Sequence, residues 1–71
     1  MLPRYEFRVA GHLSPAAREA VQAMSEGMTV EVAAPETVLS GPMTDEAHLY
    51  GVIRLLESLG LTVVAINRIP G

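Results

Sequence analysis

The chain has 71 residues, 49% of them hydrophobic and 18% charged, with a mean hydropathy of +0.30. One domain of this apolar content packs a core, which argues against a disordered chain. A net charge of -3 and no cysteine argue against non-specific nucleic-acid or membrane attraction and remove disulfide, thiolate and cysteine-metal chemistry.

In chain order, Tyr5-Glu6-Phe7-Arg8-Val9 alternates apolar and charged residues, the period of a half-buried strand, and Gly11 interrupts it. Ser14-Pro15 reads as a helix cap followed by proline in the first helical position. From Ala16 to Glu26 the apolar residues Ala17, Ala20, Val21 and Met24 share one face, with Gly27 as the stop. Met28, Val30 and Val32 alternate with Thr29 and Glu31 as a second strand. A turn at Ala34-Pro35-Glu36 leads into a third strand, Thr37 to Ser40, ended by Gly41-Pro42. Thr44 is the expected cap of a second helix, whose stripe is Leu49, Val52, Ile53, Leu56 and Leu59 before Gly60. Asp45 and Glu46 fall in its first turn, where the helix dipole favours anions. Leu61 to Ile69 forms the last strand.

The order β-α-β-β-α-β predicts an α+β ferredoxin-like sandwich spanning residues 1–71. It has an antiparallel four-stranded sheet in the order 4-1-3-2 and two helices on one face. That topology puts His12 and His48 at opposite ends of the sheet, on the order of 15–20 Å apart, too far to share a metal. His48 then reads as a histidine at the core border, bonded to a nearby carbonyl. The loop with Gly11 and His12, together with Ser14, is the candidate ligand site, because backbone N–H groups before a helix can hold an anion. Ser14 is expected to be a cap, since no relay partner stands near it in sequence.

The other candidate surface is an interface. Alternation sends Tyr5, Phe7 and Val9 toward the helices and leaves Glu6 and Arg8 outside. The third and fourth strands are apolar on both faces. Val38, Val64 and Ile66 are therefore expected to form an outer patch, beside Ser40 and charges able to pair across a two-fold axis. Tyr50, on the polar side of the second helix, is a further candidate anchor.

Other families of this topology match less. Heavy-metal chaperone domains carry paired cysteines, RNA-recognition motifs carry aromatics on central strands, and acylphosphatases carry an arginine in the first loop. The chain has no cysteine and offers Gly11-His12 in its first loop, while its third strand, Thr37-Val38-Leu39-Ser40, has no aromatic and its net charge is acidic. Amino-acid-sensing ACT domains share the topology and often a first-loop glycine, as at Gly11. The whole chain resembles small uncharacterised proteins of GC-rich bacteria. That resemblance rests on Arg4-Tyr5-Glu6 with Arg8-Val9, Gly11 with Leu13-Ser14, Thr37-Val38-Leu39 with Gly41-Pro42 and Asp45, and Leu59-Gly60-Leu61. It implies no activity. The use of arginine at all five basic positions fits the same source.

The expectation is a small non-catalytic interaction or regulatory module, homodimeric through the open sheet face or an edge strand. No cofactor, metal, nucleic acid or membrane is expected as a partner. No apolar run approaches the ~20 residues of a membrane span, and Met1 to Glu6 is not a signal-peptide start, so the expected compartment is the cytoplasm. Two alternatives stay open: a small-ligand domain or minor enzyme using the Gly11-His12 loop, and an accessory subunit of a larger enzyme.

Overall fold

Alternation in the first strand decides on which side of the sheet the core forms. The computed structural model describes residues 2–70. It contains β1 (Arg4–Ala10), α1 (Pro15–Met24), β2 (Thr29–Ala33), β3 (Glu36–Pro42), α2 (Glu46–Ser58) and β4 (Val63–Ile69). The sheet order is β2-β3-β1-β4 with every neighbouring pair antiparallel, so the fold is the expected ferredoxin-like sandwich. Phe7 and Val9 of β1 are fully buried, and Leu39 and Thr37 of β3 lie directly across from them. Val21 of α1 and Val52 and Leu56 of α2 close over this layer, with Met28 and Met43 from the connections. Each such side chain contributes roughly 1.5–3 kcal/mol by leaving water.

The helix ends show how local chemistry sets the boundaries. Ser14 caps α1 by accepting a hydrogen bond from the Ala17 N–H (3.1 Å), with Pro15 opening the first turn. The helix stops at Met24, two residues before the expected end. Ser25 turns to extended backbone, and its buried hydroxyl bonds His48 instead. Asp45 caps α2 in place of the expected Thr44: its Oδ1 accepts from the His48 N–H at 2.8 Å. A carboxylate is as good a cap as a hydroxyl and adds a charge favourable to the dipole. At the other end Gly60 takes φ +81°, and the Leu61 N–H reaches back to the Leu56 carbonyl at 3.1 Å. Glycine suits that left-handed position.

Two expectations about the strands are corrected. First, Gly41-Pro42 does not end the third strand, because Gly41 pairs with Tyr5 and Pro42 with Arg4. Proline is tolerated there because β2 pairs only as far as Ser40, leaving that side of β3 without a ladder to feed. Second, Ile66 is not on the outer face with Val38. It lies across from Phe7, and directly opposed residues share a face, so Ile66 is on the helix side. The alternation of β4 cannot be extrapolated from its neighbours, because its register with β1 shifts between Arg8 and Val9. Val63 lies across from Val9 and Ala65 from Arg8, and Val64 is the extra residue between them.

Gly41 marks the closest approach of a glycine to another stretch of backbone. A Cβ built there meets the Gly27 carbonyl and Met28 Cα at 3.0 Å, both backbone atoms that cannot swing aside. At Gly51, by contrast, a Cβ meets only the Met24 methyl at 2.7 Å, the end of a flexible side chain that is 44% exposed. We therefore expect Gly41→Ala to lose about 1–3 kcal/mol in urea unfolding. Gly51→Ala should stay near neutral, because the ~1 kcal/mol gain in helix propensity offsets the displaced methyl. Equal losses at the two positions would contradict this packing.

Candidate functional site

The first loop lies at the end of the sheet where Ala10 pairs with Glu36, and the polar groups of Gly11 and Ser14 are in use. Gly11 adopts φ +88°. Its N–H donates to the Pro35 carbonyl (3.0 Å), while its carbonyl accepts from the buried Thr37 hydroxyl (2.6 Å). The Ser14 hydroxyl is committed to the α1 cap. His12 is exposed between them. The loop is thus stapled to the β2–β3 hairpin, and two of the three groups proposed to hold a ligand hold the chain.

At the opposite end, where Arg4 pairs with Pro42, His48 joins three elements. Its Nε2 lies 2.9 Å from Ser25 Oγ, and its Nδ1 accepts from the Thr44 N–H at 3.0 Å. The Thr44 hydroxyl stands 3.2 Å from the same nitrogen. A backbone N–H can only donate, so Nδ1 carries the lone pair and neutral His48 bears its proton on Nε2, donating to Ser25. The expected core-border histidine is therefore found at that border. Its partners are a hydroxyl and an amide, not a carbonyl. A shallow groove of about 590 Å³ lies beside it, lined by Leu2, Glu26, Gly27, Pro42, Thr44 and His48. Both ring nitrogens are occupied by structural partners, so His48 forms a wall of that groove. Sequence reasoning missed Ser25 and Thr44. The spacing Thr44-Asp45-x-x-His48 is a usable local signal for the cap and the Nδ1 bond, whereas Ser25 is 23 residues away and carries none.

The interface candidates fall on three surfaces. Glu6, Arg8, Val38 and Ser40 are neighbours on the face opposite the helices, with Glu6 across from Ser40 and Arg8 across from Val38. There Arg8 Nε donates to Glu6 (2.8 Å), and its Nη1 reaches Glu36 at 3.4 Å. The hydrogen bond and charge of Glu6, with Glu36 adding to them, raise the guanidinium above its already high ordinary value. Ser40 shares a 2.8 Å hydroxyl–hydroxyl bond with Thr29. Val64 and Ile66 lie on β4, exposed by 54% and 38%. Tyr50 is 57% exposed on α2, in the other layer. Among the described residues, no group of three or more His, Cys, Asp or Glu is disposed to hold a metal ion, and no helix is long and apolar enough to cross a membrane.

Residues 4–67 match the model of a family described as a domain of unknown function, DUF8691, and the chain belongs to that family. No curated protein and no solved structure matches the chain.

Replacing His48 strands a hydroxyl, because Ser25 is 1% exposed and has no other side-chain partner. His48→Ala should cost about 1–3 kcal/mol in chemical unfolding. The double mutant with Ser25→Ala should recover part of that loss. Nitrogen-15 spectra should report the Nε2–H tautomer. Additive losses, or an Nδ1–H tautomer, would remove the link.

Proposed function

We propose that the protein is a small non-catalytic interaction or regulatory module that associates with a second copy through the uncovered side or an edge of its sheet. The observation that carries this reading is the placement of apolar surface. The helices do not cover the sheet to its edges: Val32, Val64 and Ile66 on the two edge strands are exposed by 60%, 54% and 38%. A domain of this size buries only ~60% of the surface its unfolded chain exposes, so covering such residues adds stability that its own core lacks.

The polar groups support the same reading from the other side. Two side chains whose types suit nucleophilic or acid–base work, Ser14 and His48, are each bound to a neighbouring part of the fold, while His12 stands exposed in the first loop. A hydroxyl held as a cap and an imidazole bonded at both nitrogens have little left to offer a substrate. We further assign the protein to small proteins of GC-rich bacteria, on the Arg4-Tyr5-Glu6 and Gly41-Pro42 motifs and the all-arginine basic set, and to the cytoplasm.

Sedimentation over a wide concentration range tests the association. The mass should rise from 7.6 kDa toward twice that value as concentration increases. A mass fixed at the monomer throughout, up to about 500 µM, would overturn it.

A further inference from the structure

The two edges of the sheet are unlike each other. β2 is short, five residues, with Glu31 at its centre and Thr29 and Ala33 at its ends. A charge in the middle of a short edge strand is a common guard against pairing with another chain. β4 is longer, seven residues, reads Val63-Val64-Ala65-Ile66-Asn67-Arg68-Ile69, and holds one charge near its end. Among the described residues its outer edge has no neighbouring strand. Apart from Arg68 near its end and the bulge, none of the usual devices protects it, and that bulge leaves Val64 exposed rather than tucked away.

We infer that β4 is the self-association edge, pairing antiparallel with β4 of a second copy about a two-fold axis near Ile66 to make one continuous eight-stranded sheet. This rests on the self-association proposed above and names its surface. A two-fold pairing centred there sets Ile66 beside its own counterpart, Val63 across from Ile69 and Val64 across from Arg68. No like charges meet, because Arg68 is the only charged residue of the strand. All eight acidic residues of the chain lie elsewhere, so an acidic molecule offers itself an edge free of its own negative charges.

Geometry also fixes the strength class. Seven residues span about 23 Å. With a shortest molecular dimension of 16 Å, the contact covers on the order of 350 Å² per copy. That is below the area of a permanent dimer and places the complex among weak, concentration-dependent ones.

The absence of native cysteine makes a direct test available. Opposed residues of an antiparallel pair have Cα atoms about 4.5–5.5 Å apart, inside the disulfide range. Ile66→Cys should form a disulfide-linked dimer under mild oxidation at a protein concentration where the parent sediments as a mixture. Val32→Cys, on β2 and more exposed than Ile66, should remain monomeric on denaturing gels. Ile66→Glu, which sets two carboxylates opposite each other, should weaken association at least tenfold while its thermal midpoint confirms folding. If the parent dimerises but Ile66→Cys does not crosslink and Ile66→Glu leaves the dimer unchanged, the β4 edge is wrong and another surface is used. Crosslinking through Val32→Cys instead would move the interface to β2. A parent that is monomeric at every concentration removes self-association itself.

Discussion

Two helices can dry only one side of a four-stranded sheet, and the rest of the molecule is arranged around that limit. Phe7, Val9 and Leu39 occupy the dry side under Val21, Val52 and Leu56. The side chains between them in sequence must then face water. Over β1 and β3 the chain meets this with a half-buried ion-pair cluster, Glu6–Arg8–Glu36, and the Thr29–Ser40 hydroxyl pair. Such pairs contribute little stability at the surface. Their effect is to keep that region wet and to leave Val38 only half exposed among them. At β4 no such arrangement exists.

The same economy explains the polar side chains that looked chemically useful. In a body only 16 Å through its shortest dimension, loops lie close to buried polar groups that need partners. Thr37 is buried and satisfied by the Gly11 carbonyl; Ser25 is buried and satisfied by His48. Among the described residues no buried side-chain polar atom is left without a partner. One tie fastens the first loop to the hairpin, and the other fastens the end of α1 to the start of α2. They act at opposite ends of the sheet, where helix termini would otherwise fray.

What the sequence revealed followed from short-range physics. The alternation of Tyr5 to Val9, the Ser14-Pro15 start and the Gly60 stop each depend on residues within a turn or a strand, and each is found where the pattern puts it. The errors came where a partner outside the hydrophobic pattern decides, whether a turn away or across the sheet. Thr44 and Asp45 are comparable caps by type, and the imidazole of His48 selects between them by taking the Thr44 N–H. Gly41 and Pro42 read as a stop, yet the space that the Gly27–Met28 backbone occupies against them makes a strand residue without a Cβ necessary. The face of Ile66 turns on a one-residue shift between β1 and β4, which hydrophobic pattern alone does not encode when both faces of a strand are apolar. For the same reason the outer patch drawn from Val38, Val64 and Ile66 was not legible as separate surfaces.

The distribution of charge connects these points. A net charge of -3 on so small a molecule opposes the meeting of two copies, but repulsion between exposed charges fades beyond a Debye length of ~8–10 Å at ordinary salt. What matters is which charges come within that distance. Glu31 lies on β2, while Glu26, Asp45 and Glu46 flank the groove and the start of α2. Approach through β2 brings Glu31 toward its own counterpart. Approach through β4 brings apolar side chains together and leaves Glu31 two strands away behind β3 and β1. If two copies meet, Glu31 makes the β2 edge the more repulsive, and the β4 edge is both the less repulsive approach and the one that covers the most exposed apolar surface per strand.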